Sequence, residues 1–435
     1  MFKENLHLKK HYLGFVVVVL VHFALVAYFV PPRVVFSNDP IYDIDYSLHY
    51  YQTDRAQKAF QGWGKLWGYD PQVLAGYPSG AIEDVSSKTI GLFTIGLSSL
   101  GVHPAKAFNI YVLIVHLLLP FVAFLSARLF NLSVLQSVAV AAFWVVLWFF
   151  DSFFHWIWFC GMISWAAATY LSVLSLALLW RAFEGQKVVL WFFTVLLISF
   201  LALHHPFVAI TLFASSVALY VRGFRKLKAK SHVAIFLAMV GAVVASLVWV
   251  LPALHMSHYV LKEETFLRPT LEYLFFDFFD LTKSPVQTGP PVRTMVRFLC
   301  FAAAAYCFVR WRKEGDRRFL PLVLFVGVGA LFAYGGGYLH ITRITQPYRQ
   351  IGPVALAAAI PATVALSNLF SICRTKGLGM AAKVLLLFAV VLLTPRFVRT
   401  VLYFFPNVIS QQSSTNGKKE HKWFLALNNF TQPPI

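Results

Sequence analysis

The stretch YLGFVVVVLVHFALVAYFV (residues 12–30) decides the fold, because it carries no Asp, Glu, Lys or Arg over a length that can cross a bilayer. A helix needs about 20 apolar residues to span ~30 Å of hydrocarbon. Comparable runs recur near 107–127, 133–150, 159–180, 188–203, 207–221, 233–254, 295–309, 319–335, 353–371 and 379–395. We therefore predict an all-α polytopic membrane protein with about eleven transmembrane helices.

The distribution of charge predicts the orientation in the membrane. The net charge is +19, but nucleic-acid binding does not follow from it, because the basic residues separate by side of the membrane. Six segments on one side hold 19 of the 37 lysines and arginines and only 4 of the 18 acids: 1–11, 127–132, 181–187, 222–232, 310–318 and 372–383. This is the positive-inside pattern. We expect a plasma (inner) membrane protein with a cytoplasmic N-terminus, whose first span is retained as an anchor.

The same pattern divides the chain into two parts. Residues 1–395 form a transmembrane module, and 396–435 form an extracytoplasmic tail. Within the module, 31–106 is a large first extracytoplasmic loop. It contains an amphipathic stretch at 55–67 and a short apolar piece at 89–101, both typical of interfacial helices.

That first loop concentrates acidic residues in a chain in which only 13% of the residues are charged. It opens with NDPIYDIDYSLHYYQTD (38–54), and Asp45 and His49 share one face if this segment is helical. A carboxylate there could accept a proton from an attacking hydroxyl, or bind Mg²⁺ or Mn²⁺ together with Asp43, Glu83 and Asp84. The alternative is a solvated loop in which Asp43 caps the helix that follows.

Two further segments on the same side carry cationic or polar candidates. Arg343 and Arg349 lie in TRITQPYRQ (342–350), and the planar arginine side chain suits phosphate oxygens. His205 stands in a His-His-Pro sequence between two spans, where it could contact a substrate or simply end a helix. The alternative for the arginines is ordinary contact with lipid headgroups. Arg293 and Arg297 are weaker candidates.

Several classes of protein are not supported by any motif. No P-loop, HExxH or GxSxG is present, and the four cysteines lack the CxxC spacing of a metal site. The predicted span interiors hold essentially no Asp, Glu, Lys or Arg, whereas coupled transporters usually place such residues near the midplane. This weakens transport as an interpretation.

Together these features resemble the GT-C glycosyltransferases, the group that includes protein O-mannosyltransferases and the lipid A aminoarabinose transferase. The resemblance is carried by the Asp43-Ile-Asp45 motif, by WGYDP (67–71) with AGYP (75–78), and by Glu83-Asp84. His205-Pro206 and QPYR (346–349) resemble recurring features of uncharacterised bacterial members. The chain is also similar to bacterial membrane proteins described as related to 6-pyruvoyl-tetrahydropterin synthase. The likeness is best over about 1–130 and 346–352.

The resemblance implies an inverting transfer of a sugar from a polyprenyl-phosphate donor to an extracytoplasmic acceptor. An outer-loop Asp acts as the general base in that family, and the role falls on Asp45 or Asp43, with Asp45 favoured. His49, Arg349, Arg343, His205 and Glu83 would then contact substrate. Expected partners are membrane lipid, the lipid-linked sugar and an acceptor of unknown kind, with no nucleic acid. The alternatives are a transporter of lipid-linked saccharide or phospholipid, and a non-catalytic membrane scaffold.

Overall fold

The computed structural model describes residues 2–42, 44–72, 76–81, 88–205, 207–259, 292–339, 342 and 345–376. Nearly all of them lie in helices. The helices are α1 (Phe2–Phe29), α2 (Pro32–Val35), α3 (Ile44–Trp63), α4 (Lys88–Ser99), α5 (Pro104–Leu117), α6 (Leu119–Leu129), α7 (Val134–Phe150), α8 (Ser152–Phe159), α9 (Ile163–Gly185), α10 (Val188–His204), α11 (Val208–Gly223), α12 (Ala229–His255), α13 (Val292–Glu314), α14 (Phe319–Gly335) and α15 (Ile351–Lys376). Strands β1 (Gly68–Asp70) and β2 (Tyr77–Ser79) form a small antiparallel hairpin.

Seven helices in the described residues are long and apolar enough to cross a membrane: His11–Phe29, Pro104–Leu129, Ile163–Gly185, Val208–Lys226, Ala229–His255, Phe319–Tyr338 and Pro347–Ile372. Val134–Phe150 and Phe153–Phe159 together would make an eighth, bent by 64°. The polytopic, all-α architecture is thereby confirmed.

The predicted number of eleven spans is not confirmed. Two of the predicted spans are helices that do not meet the same test. Helix α10 has 17 residues, which at 1.5 Å per residue gives only about 25 Å, and α13 carries arginines at both ends. The predicted span at 379–395 lies outside the described residues, as does the predicted tail.

Helix α9 lies at the centre of the bundle and is buried along almost its whole length. It packs against α6, α10, α11 and α15. The segment 354–360 of α15 is fully buried and rich in alanine, and small side chains allow helices to approach closely in a membrane. The indole N–H of Trp144 on α7 donates to the Leu356 carbonyl of α15 at 2.9 Å.

The elements of the first loop pack together at one end of this bundle. Helix α3 contacts α4, α5 and the β-hairpin, and the Thr89 hydroxyl of α4 lies 2.8 Å from His204 Nδ1 at the end of α10. The predicted interfacial pieces are confirmed as helices, since 55–67 overlaps α3 and 89–101 overlaps α4. Four elements meet at this end of the bundle: α3, the α8–α9 turn, the α10–α11 turn and the 3₁₀ turn Pro347–Gln350. We call it the site end.

Candidate functional site

Asp45 is held at the start of α3 by the turn between α8 and α9. Its backbone N–H donates to the Cys160 carbonyl at 2.9 Å. The next residue of the turn, Gly161, has φ +91°, and a Cβ there would stand 2.5 Å from the Tyr46 nitrogen. Only glycine allows this close approach without strain. The turn therefore fixes the backbone from which the Asp45 side chain projects.

Tyr46 anchors the same segment in the core. Its ring is buried and its hydroxyl donates to the Trp158 carbonyl at 2.5 Å. The Asp45 side chain, by contrast, is half-buried and makes no hydrogen bond or ion pair with the residues that the structure describes. A carboxylate in that state can accept a proton.

The other carboxylates of α3 and the hairpin are engaged. Asp54 pairs with Arg55 and Lys58, each at 2.9 Å. Asp70 is buried, accepts a hydrogen bond from the Tyr51 hydroxyl and lies 3.7 Å from Arg55. The interactions of Asp70 fasten α3 to the hairpin, whereas those of Asp54 lie within α3. Their role is structural, and Asp45 remains the one half-buried, unengaged carboxylate in this part of the described chain.

His49 follows Asp45 by one turn of α3, as the predicted helical spacing requires. Its Nδ1 lies 3.3 Å from Gln52 Oε1. It is near enough to His205 for its charge to lower the pKa of that residue. The structure thus brings His49 and His205 together from distant parts of the sequence.

His205 lies in the turn between α10 and α11 and is only 3% exposed. Its ring centroid is 4.7 Å from that of Trp165 and 5.0 Å from that of Phe207. Burial, followed by the charges of Arg349, His204 and His49, lowers the pKa of His205 well below its usual value. The ring is therefore neutral at physiological pH. His205 follows the last residue of α10, so the prediction that it ends a helix is confirmed, whereas contact with a substrate stays a prediction.

Arg349 reaches the same place from the 3₁₀ turn Pro347–Gln350. Gln346 precedes the turn with φ +48°, and its carbonyl accepts the Arg349 N–H at 2.9 Å. The guanidinium carbon stands 5.9 Å from the centre of the Phe207 ring. The Arg349 Nε is buried and has no hydrogen-bond partner in the described part of the chain. Arg349 is therefore a cation with an N–H group that no described residue accepts.

Gln350 and Trp165 belong to this site, although the sequence analysis did not single them out. Gln350 is 1% exposed, and its Oε1 accepts a hydrogen bond from the Thr211 hydroxyl of α11. The adjacency of Gln350 to Arg349 was a signal in the sequence. Nothing in the sequence indicated that the ring of Trp165 would contact that of His205.

A buried ion pair was also missed. Arg297 Nε donates to Asp151 Oδ2 at 3.0 Å, and neither side chain is more than 1% exposed. Asp151 Oδ1 accepts the backbone N–H of Phe153 at 2.9 Å and so caps α8 where the chain bends. Arg297, predicted only as a weak candidate at the outer start of a span, thus points inward from α13 to this carboxylate.

Four predicted site residues lie outside the described residues: Asp43, Glu83, Asp84 and Arg343. Their placement stays a prediction. Across the described ranges, no group of three His, Cys, Asp or Glu side chains could hold a metal ion. Of the predicted metal ligands only Asp45 is described, so a Mg²⁺ or Mn²⁺ site stays a prediction as well.

Comparisons with known proteins report on the fold. No protein-family model matches the chain, and no curated protein matches it in sequence. Neither comparison supports the predicted similarity to proteins related to pterin synthases.

Solved structures of oligosaccharyltransferases from Archaeoglobus fulgidus are similar to this chain. The Archaeoglobus fulgidus oligosaccharyltransferase in its apo form is 13% identical, with a TM-score of 0.52 over 92% of this chain and 56% of that one. The same enzyme complexed with Zn and sulfate is 12% identical, with a TM-score of 0.52 over 89% and 52%. The archaeal oligosaccharyltransferase AglB with an inhibitory peptide and a dolichol-phosphate is 13% identical, with a TM-score of 0.52 over 90% and 55%. The chain, which spans about half the length of these structures, is a multi-pass helical membrane protein similar in fold to an archaeal oligosaccharyltransferase.

Proposed function

We propose that this protein is a membrane-embedded glycosyltransferase that moves a sugar from a polyprenyl-phosphate donor to an acceptor hydroxyl. One observation carries the proposal. Asp45 and Arg349 lie on segments packed at the same end of the bundle and linked through His49 and His205. Within the described ranges, the Asp45 carboxylate has no hydrogen-bond or ion-pair partner and the Arg349 Nε has no acceptor. Similarity in fold to an oligosaccharyltransferase supports it.

Arg349 is suited to hold the phosphate of the donor. A guanidinium forms short, charge-assisted hydrogen bonds with phosphate oxygens. The Arg349 Nε is buried, and none of the described residues accepts a hydrogen bond from it. The similar archaeal structure contains a dolichol-phosphate, a lipid of the class proposed here. The polyprenyl tail would lie along the apolar helices, in the membrane.

Asp45 is suited to act as the general base. It would take the proton of the acceptor hydroxyl as that oxygen attacks the anomeric carbon. The bond between this carbon and the phosphate oxygen breaks, and its electron pair leaves with the lipid phosphate, whose charge Arg349 offsets. Attack opposite to the leaving group inverts the anomeric configuration. Asp43 remains the second candidate for the base.

A divalent cation is a further part of the proposal. Asp43, Asp45, Glu83 and Asp84 supply carboxylate oxygens, the ligands that Mg²⁺ and Mn²⁺ prefer. When bound, such an ion would add positive charge beside the leaving phosphate. The steps assigned to Asp45 and Arg349 do not depend on it. The positive-inside pattern would place the site end on the extracytoplasmic side.

The proposal is tested by the release of lipid phosphate from synthetic polyprenyl-phosphate sugars, offered with a panel of hydroxyl acceptors to the full chain in lipid nanodiscs. Because general-base catalysis contributes roughly 10²–10⁴-fold, Asp45→Asn should reduce turnover by about that factor. Asp39→Asn is the matched control, since Asp39 lies in the same loop with an exposed side chain. Equal turnover in the two variants would reject Asp45 as the base. Movement of intact lipid-linked sugar between leaflets, without release, would favour the transporter.

A further inference from the structure

Several buried hydrogen-bond donors around Phe207 have no acceptor among the described residues. The indole Nε1 of Trp165 and the amide Nε2 of Gln350 are both in this state, on side chains that are 2% and 1% exposed. The Nε of Arg349 is a third. An N–H group buried without an acceptor destabilises the native state, and proteins hold few of them.

These donors belong to one cluster. The Phe207 ring lies 6.3 Å from the ring of Trp165 and 5.9 Å from the guanidinium carbon of Arg349. Gln350 is fastened to the same place, because its Oε1 accepts the hydroxyl of Thr211, one helical turn after Phe207. With its oxygen engaged in this way, Gln350 offers only its N–H groups to a ligand.

His205 adds a fourth donor. Its Nδ1 accepts the backbone N–H of Phe207 at 3.3 Å, so the proton of the neutral ring resides on Nε2. The ring packs on Trp165 at 4.7 Å between centroids. A histidine held in this tautomer donates a hydrogen bond without carrying a charge. The four groups therefore present donors only, and the chemistry that they fit is an anion with several acceptor oxygens.

We propose that four residues bind the phosphate group of the lipid-linked substrate: Trp165, His205, Arg349 and Gln350. We call these four residues the donor cluster. The inference rests on the proposed function for the identity of the ligand. Trp165, His205 and Gln350 are uncharged, and their hydrogen bonds orient the phosphate oxygens. Arg349 supplies the positive charge that balances the phosphate. The cluster is incomplete without ligand, and its unpartnered donors are satisfied when phosphate is bound.

The test measures binding to the purified full chain in nanodiscs by calorimetry, with three probes. Farnesyl phosphate carries the phosphate on an isoprenoid, farnesol lacks the phosphate, and inorganic phosphate lacks the lipid. A hydrogen bond to a charged group changes affinity about ten- to hundredfold. Trp165→Phe and Gln350→Met should therefore each weaken the binding of farnesyl phosphate at least about tenfold. Affinity for farnesol should not change.

Trp180→Phe is the matched control for Trp165→Phe. Trp180 lies on the same helix, α9, and its Nε1 is also buried without a partner in the described chain, about 22 Å away along the axis. Both substitutions remove a buried N–H and leave a similar cavity in the core, so the two unliganded variants should lose similar stability. Only Trp165→Phe should lose affinity for phosphate. A purely structural role would not separate the two variants.

The outcomes distinguish this inference from the proposed function. If the parent binds farnesyl phosphate no better than farnesol, both are wrong. If Arg349→Gln weakens binding but Trp165→Phe and Gln350→Met do not, the donor cluster is wrong and the proposed function stands. If inorganic phosphate binds as tightly as farnesyl phosphate in a Trp165-dependent manner, the cluster is supported and the lipid-linked donor is rejected.

Discussion

The placement of Asp45 depends on Gly161, and substitution of this glycine tests how the site is built. In Gly161→Ala the new Cβ would stand 2.5 Å from the Tyr46 nitrogen and 3.0 Å from the Asp45 carbonyl carbon. Both atoms are backbone, so the start of α3 must shift. The shift is about 1 Å, because ordinary contacts of this kind exceed roughly 3.4 Å, and it strains the hydrogen bond between Asp45 and Cys160.

Two energies enter this prediction. An alanine at φ +91° costs about 1–3 kcal/mol in backbone strain, and weakening one hydrogen bond costs about 0.5–1.5 kcal/mol more. The larger effect is on the reaction, because a misplacement of about 1 Å in a catalytic group costs on the order of 10²-fold in rate. We expect Gly161→Ala to fold, to melt at a lower temperature, and to release lipid phosphate about 10²-fold more slowly.

Gly101→Ala controls for the backbone strain. Gly101 has φ +87°, and an added Cβ there meets nothing within 4 Å. Gly101→Ala should lose only the stability due to backbone strain, about 1–3 kcal/mol, and should keep its turnover. Only Gly161→Ala should lose turnover when both variants are assayed well below their melting temperatures. Equal turnover in the two variants would refute the claim that the α8–α9 turn positions Asp45.

Three further predictions concern stability and cofactors. Arg297→Leu should lower the free energy of unfolding by about 3–5 kcal/mol, because the attraction between Arg297 and Asp151 across 3.0 Å is about 5 kcal/mol at an effective dielectric constant of 20. Adding Asp151→Asn should restore most of this stability, because the unpaired buried charge is removed and Asn caps a helix as well as Asp. Burial and the charge of Arg349 lower the pKa of His205, so the unfolded chain binds the extra proton and stability falls as pH drops below about 6.5. Between pH 8 and pH 5, the free energy of unfolding measured by thermal unfolding should fall less steeply in His205→Asn than in the parent, by up to about 1.4 kcal/mol per pH unit. An identical slope in the two proteins would contradict the claim that His205 is buried in its neutral form. If carboxylates bind Mg²⁺ or Mn²⁺, EDTA should abolish turnover and either ion should restore it, whereas unchanged turnover would reject the metal site.

Much of the fold was predictable from the sequence because it depends on local composition. The apolar run at 12–30 predicted α1, and the helix expected after Asp43 corresponds to α3 (Ile44–Trp63). The count of spans was less predictable. Hydropathy identifies an apolar segment, but whether a helix such as α13 crosses the membrane depends on buried partners for its arginines.

The site was predictable in part, for a related physical reason. Residue type and side of the membrane pointed to Asp45, His49, His205 and Arg349, which the structure places on segments that meet at the site end. The partners that complete the site are contacts between distant segments. Trp165 meets His205 across about forty residues of sequence, and such pairings leave no local pattern.

The most direct test of the central claim is a cryo-electron microscopy structure of the full chain in nanodiscs with a non-transferable phosphonate analogue of a polyprenyl-phosphate sugar. We predict density for the phosphonate against Arg349 and the donor cluster, with the Asp45 carboxylate facing the anomeric carbon from the side opposite the leaving oxygen. Phosphonate density at the opposite end of the bundle, or an Asp45 side chain directed away from the sugar, would contradict the account.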